Sequence, residues 1–162
     1  MSVERPVVDL PTEQFHVGAR VGDLEVSMDL LAQALGLRWA VVVERDQRVW
    51  TPSAGATTVP LRFTYSCQGP QHVELLQGSP GSLWDGNHLP GLHHLGVWAD
   101  DVAAETESLI DAGWTVDGAE RPPEEGYGVM SYVRSPAGLL VELVSRSVEP
   151  AFERWWAGGE LR

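Results

Sequence analysis

The chain is short of cations and of cysteine. Its 162 residues hold 11 Lys plus Arg against 23 Asp plus Glu, a formal charge of −12. A phosphate backbone or an anionic membrane is bound by clustered cations, so neither nucleic acid nor membrane is expected as a partner. The single cysteine, Cys67, excludes an internal disulfide and a cysteine-rich metal site, and fits a reducing compartment. No apolar run approaches the roughly 20 residues of a membrane helix. The opening Met-Ser-Val-Glu-Arg-Pro lacks the basic and apolar stretches of a secretory signal. Together these absences predict a soluble, cytoplasmic protein. Glycine-rich phosphate loops, His-Glu-x-x-His and Gly-x-Ser-x-Gly are missing as well, which removes the common nucleotide-binding, zinc-protease and serine-hydrolase readings.

What is present is a repeat. His16-Val17-Gly18-Ala19-Arg20-Val21-Gly22-Asp23-Leu24 aligns, 78 residues on, with His94-Leu95-Gly96-Val97-Trp98-Ala99-Asp100-Asp101-Val102. Val73-Glu74-Leu75-Leu76 and Val141-Glu142-Leu143-Val144 are likewise alike. At 43% hydrophobic residues the chain can fill one core, so residues 1–162 read as a single domain. Within it, 12–77 form a first module, 78–91 a Gly- and Pro-rich linker, 92–146 a second module, and 147–162 a terminal helix and tail.

Each module reads as strand, helix, then three strands. Asp23 and Asp101 are placed to cap the two helices. Leu24, Met28, Leu31 and Leu35 fall on one helical face, and Gly36 and Gly113 are natural stops. Strands are expected over 39–44, 61–66 and 71–76, then 114–116, 129–134 and 139–145. Pro150 opens a short helix over 149–157, whose Phe152, Trp155 and Trp156 dock on the sheet.

Strand alternation puts His16 with Gly18 and Arg20, His72 with Glu74, and His94 with Gly96 and Trp98. A strand carboxylate flanked on both sides by apolar residues is costly unless paired or metal-bound. Here that arrangement occurs twice, at Glu74 and Glu142. His16, Glu74, His94 and Glu142 occupy repeat-equivalent places, so packing the modules about a pseudo-twofold axis would bring them together as a mixed nitrogen and oxygen site for a divalent metal.

The stretches around His16, Glu74, Gly91-Leu92-His93-His94-Leu95-Gly96 and Ser135-Pro136-Ala137-Gly138-Leu139-Leu140-Val141-Glu142 resemble the vicinal oxygen chelate superfamily. That superfamily includes glyoxalase I, methylmalonyl-CoA epimerase, extradiol dioxygenases and bleomycin-resistance proteins. The resemblance implies an α+β fold: two βαβββ modules in a cupped mixed sheet around a central site, with a short C-terminal helix added. It implies His16, Glu74, His94 and Glu142 as ligands of a divalent ion (Zn, Ni, Co, Mn or Fe), His94 rather than His93 being the ligand and His93 turned to the other face. The site forms within one chain or across a homodimer, since members do both.

Function follows by resemblance to the glyoxalase and epimerase branch: a metal-dependent lyase or isomerase acting on a carbonyl-containing small molecule through a metal-stabilised enolate, with Glu142 or Glu74 as catalytic base. Arg20 falls where glyoxalase I carries an arginine that holds an anionic part of its substrate. His72, Tyr65 and Trp98 are further candidates for substrate contact. The stretch Val59-Pro60-Leu61-Arg62-Phe63-Thr64-Tyr65 lacks the carboxylate that the epimerase branch uses as a second base. Two other readings stand beside this one. One is a metal-free binding protein that sequesters a hydrophobic or aromatic compound. The other is an Fe(II) dioxygenase, against which a fourth protein ligand argues by filling a position that oxygen and substrate need.

Overall fold

A computed structural model describes residues 14–162. The proposed start of the first module, at residue 12, lies outside them. The order is β1 (Gln14–Arg20), α1 (Leu24–Leu35), β2 (Val43–Thr51), β3 (Gly55–Tyr65), β4 (His72–Gly78), then β5 (Gly91–Ala99), α2 (Val102–Asp111), β6 (Thr115–Ala119), β7 (Met130–Arg134), β8 (Leu140–Ser145) and α3 (Glu149–Trp156). The sheet closes in the order β1-β4-β3-β2-β6-β7-β8-β5, so each half of the ring is one βαβββ unit. β1 pairs parallel with β4, β5 pairs parallel with β8, and β1 and β5 meet antiparallel. That arrangement places the two units about a pseudo-twofold axis.

The helices start where their caps stand. Asp23 accepts from the Val26 amide and Asp101 from the Ala104 amide, both at 2.9 Å. Each satisfies a backbone donor that the first helical turn leaves open. Gly36 ends α1 in the left-handed conformation, with φ of 67°. Only part of the expected apolar stripe of α1 is covered: Leu24 is buried, whereas Leu35 is 64% exposed.

The largest departure from the sequence reading is the β2–β3 hairpin. A strand was expected over 39–44, yet β2 runs over Val43–Thr51 and β3 extends back to Gly55, paired residue for residue from Val43↔Phe63 to Thr51↔Gly55. The run Glu44-Arg45-Asp46-Gln47-Arg48 has no apolar alternation to betray a strand. Trp39 makes only an isolated bridge to Ser66. The linker is also more ordered than its Gly and Pro content suggests: Trp84 is buried there and its Nε1 donates to the Tyr132 hydroxyl at 3.0 Å. Helix α3 closes one flank. Trp155 is buried and donates to the Val41 carbonyl at 2.8 Å, while Phe152 leans on Tyr65 and Trp98.

Candidate metal centre

Strand register builds the site in two mirrored rows. Across β3, β4, β1 and β5 run Tyr65, Glu74, Gly18 and His94; across β1, β5, β8 and β7 run His16, Gly96, Glu142 and Tyr132. Each row thus has a glycine beside a histidine contributed by the opposite module. The reason is steric. A Cβ on Gly18 would lie 2.0 Å from the His94 ring, and one on Gly96 would lie 1.8 Å from the His16 ring. Each imidazole therefore lies across the bare backbone of the other module's glycine.

The result is a compact cluster in which His16, His94, Glu74 and Glu142 are 0%, 3%, 5% and 6% exposed. Their donor atoms all lie within 4.8 Å of one another. The two Nε2 atoms are 2.9 Å apart. Glu142 Oε2 is 3.0 Å from His16 Nε2 and 3.1 Å from His94 Nε2, and Glu74 Oε2 is 3.4 Å and 3.2 Å from the same atoms. Neither Oε2 has a hydrogen-bond partner despite this proximity. Bonds of about 2.0–2.2 Å from nitrogen and oxygen to one cation would leave neighbouring donors about 3 Å apart. The residues present fit a divalent ion.

Charge inside the cluster is self-compensating. Burial alone would lower His94, but the field of Glu142 and contact with both carboxylates raise it to about 9. His16 is raised by the same balance, burial opposing Glu142 and Glu74. Burial would raise Glu142, yet His94 and His16 hold it well below the usual carboxylate range, and Glu74 is lowered similarly. Tyr65 and Tyr132 are pushed well up, chiefly by burial and then by the two carboxylates, so both stay protonated donors.

A cleft of about 410 Å³ opens onto this cluster. Glu74, Glu142, Tyr65 and Tyr132 reach its lining, while Leu61, Phe63, Leu76, Met130, Val144 and Phe152 supply an apolar wall. The imidazoles lie behind the carboxylates. Of the residues expected to touch substrate, only Tyr65 lines this cleft. Arg20 is turned beneath the linker, where its Nη1 donates to the Leu83 carbonyl at 3.3 Å. His72 lies under Trp156, ring on ring at 3.7 Å, with Nδ1 2.7 Å from the Ser66 carbonyl oxygen. Trp98 is stacked on Phe15 at 3.7 Å.

Among the polar residues of the lining that the sequence reading missed are Tyr132 and Arg45. Tyr132 sits in a strand whose first four residues are all buried, so no alternation marks it as inward-facing. Arg45 lies on β2 inside the overlooked hairpin. It reaches over the Phe63 ring at 5.1 Å, its Nε donates to Gln47 Oε1 at 2.9 Å, and it has no ion-pair partner among the described residues.

The family model described as the Glyoxalase/Bleomycin resistance protein/Dioxygenase superfamily matches residues 15–131. The chain belongs to this superfamily. Solved structures share the fold at low sequence identity. A hypothetical protein from Bacillus halodurans C-125 is 17% identical with a TM-score of 0.59, over 85% of this chain and 96% of that one. A variant of Streptomyces coelicolor methylmalonyl-CoA epimerase, in complex with 2-nitronate-propionyl-CoA, is 20% identical with a TM-score of 0.53, over 83% and 94%. A variant of 4-hydroxymandelate synthase from Streptomyces coelicolor is 15% identical with a TM-score of 0.57, over 83% of this chain and 48% of that one. These likenesses establish the fold. No curated protein matches the chain significantly. Within the superfamily, this chain carries both halves of the site itself: the four donors converge inside one protomer.

Proposed function

We propose that the protein is a divalent-metal-dependent lyase or isomerase acting on a small carbonyl compound, with His16, Glu74, His94 and Glu142 as the metal ligands. The observation that carries this reading is the buried cluster of four donors whose two unbonded Oε2 atoms border an apolar cleft. A bound divalent cation would supply Lewis-acid polarisation of a substrate oxygen.

The remaining work falls to the chain. The imidazoles are shielded behind the carboxylates, so Glu142 and Glu74 are the groups that reach both the centre and the cleft. Either can take a carbon-bound proton next to a carbonyl and return it, and we assign this role to Glu142, whose flanking tyrosine, Tyr132, is held by Trp84 whereas the Tyr65 beside Glu74 is not. Tyr65 and Tyr132, kept protonated, donate to oxygen on the substrate as charge develops there. The apolar wall excludes water and selects an apolar body, and Arg45 at the mouth favours an acidic arm. The cleft-facing part of β3 offers Leu61, Phe63 and Tyr65, so a second carboxylate for two-base epimerisation is lacking on that strand. That an epimerase with a bound CoA ester shares the fold supports a carbonyl substrate.

The test needs no knowledge of the product. Metal-loaded and metal-stripped protein is incubated in D₂O with α-hydroxy ketones, thiohemiacetals and acyl thioesters, and deuterium at the α-carbon is followed by NMR. Exchange that requires metal and falls strongly in Glu142→Gln is the expected result. Tight, metal-independent binding of aromatic ligands without exchange would establish sequestration in its place.

A further inference from the structure

A strand that alternates regularly would turn His93 away from His94, as the sequence led us to expect. The structure does otherwise. The β1–β5 ladder steps from Gly18↔His94 directly to Ala19↔Leu92, so His93 is an inserted residue with no partner across the ladder. Such a bulge re-aims side chains, and consecutive residues come to point to the same side. His93 accordingly swings inward. Its Nδ1 lies 3.0 Å from His94 Nδ1, and its ring is 5.4 Å from that of Tyr132.

We propose that His93 is a positioning residue that fixes the ring of His94 and the nitrogen on which it carries its proton. The proposal rests on the metal-holding role given to His94 above. To present the Nε2 lone pair toward the carboxylates and a cation, the His94 imidazole must keep its proton on Nδ1. That N–H needs an acceptor, and His93 Nδ1 is the atom at hydrogen-bond distance. Ligating histidines are usually oriented in this way by a partner on the second nitrogen.

The other module shows what happens without such a partner. The residue before His16 is Phe15, the repeat counterpart of His93, and its ring meets the His16 ring edge-on at 4.3 Å. Nδ1 of His16 is buried with no hydrogen bond. On the Nδ1 side, therefore, one histidine of the pair is held by packing alone and the other by packing plus a hydrogen bond. The ladder is irregular at both places, Phe15 being passed over between Gln14↔Val97 and His16↔Gly96 as His93 is, so the two modules share the bulge and differ in the residue that fills it.

The experiment titrates Zn²⁺ against a chromogenic chelator in wild type, His93→Phe and His93→Asn, with circular dichroism to confirm folding. Phenylalanine restores the arrangement of the first module and removes the acceptor; asparagine keeps an acceptor oxygen close to the place of Nδ1. The expected result is a 10- to 100-fold loss of Zn²⁺ affinity in His93→Phe, with most of it recovered in His93→Asn. Nitrogen-15 NMR of the Zn²⁺-loaded proteins should show His94 protonated on Nδ1 in wild type and a displaced Nδ1 signal in His93→Phe. Equal Zn²⁺ affinity and unchanged His94 signals in both variants would overturn the positioning role while leaving the metal centre intact. Wild type that takes up no Zn²⁺, Co²⁺, Ni²⁺, Mn²⁺ or Fe²⁺ would overturn the metal centre itself, and the positioning role with it.

Discussion

The two modules agree closely where they meet and differ where they part. At the junction, His16 answers His94, Gly18 answers Gly96, Glu74 answers Glu142 and Tyr65 answers Tyr132. Away from it, β2 and β3 run for 9 and 11 residues, whereas their counterparts β6 and β7 have 5 each. Arg45 belongs to the long hairpin alone, and the linker's Trp84 braces Tyr132 but not Tyr65. A symmetric donor set within asymmetric walls is what a site needs to hold a symmetric ion and bind an unsymmetric molecule in one orientation.

Substituting either central glycine should break that agreement most severely. Gly96→Ala forces a Cβ into the His16 ring and Gly18→Ala forces one into the His94 ring. Each should abolish stoichiometric metal content, and each should cost about 1–3 kcal/mol of stability by overpacking. Metal content by mass spectrometry and thermal unfolding are the measurements, and full occupancy in both variants would show that the rings do not depend on the bare backbone. Next in size is the contrast between carboxylates. At saturating metal, Glu142→Gln should lower α-proton exchange by roughly 10²–10⁴, the usual worth of a general base, and Glu74→Gln by less. An equal fall in both would mean that the proton is not assigned to one module.

A smaller effect concerns pH. In the metal-free chain His94 is raised to about 9 from an ordinary 6.5, so its contribution to stability is complete below pH 6.5 and is lost as pH rises through 9. The midpoint of thermal unfolding should fall across that window without metal. Metal loading near pH 7 should release protons, because ligating imidazoles must shed them. Calorimetry in two buffers of different ionisation heat counts them, and zero release would contradict the charged cluster. The smallest effect separates two arginines: Arg45→Ala should weaken carboxylate-bearing ligands by about 0.5–1.5 kcal/mol, a charge-assisted bond discounted for exposure. Arg20→Ala should leave them unchanged. The reverse order in a binding titration would restore Arg20 as the anchor.

Much of this was legible in the residues, and the exceptions have physical causes. The caps at Asp23 and Asp101 and the stop at Gly36 are local chemistry, and local chemistry is written in the sequence. The clustering of His16, Glu74, His94 and Glu142 was legible because the repeat encodes it. The hairpin was obscured by five consecutive polar residues, and Arg45 was lost with it. That Arg20 points under the linker and not into the cleft was not legible, because nothing local announces that a glycine-rich linker folds back over the strand end. His93 was assigned to the wrong face because a bulge is a property of the pairing between two strands, and neither strand reveals it alone.

The two seams of the barrel have unequal strength. β1 and β5 are joined through six paired positions, β2 and β6 through one, Trp50↔Ala119. All four donors sit on β4, β1, β5 and β8, the contiguous strands on either side of the strong seam. The weak seam lies in the opposite half of the ring, among the strands that carry the walls. Only a single backbone bridge spans it, with Trp50 packed against the apolar cluster that contains Ala119. β3 and β7 stand between that seam and the strands that carry the donors, so a substitution at Trp50 or Ala119 acts two strands away from the nearest donor strand.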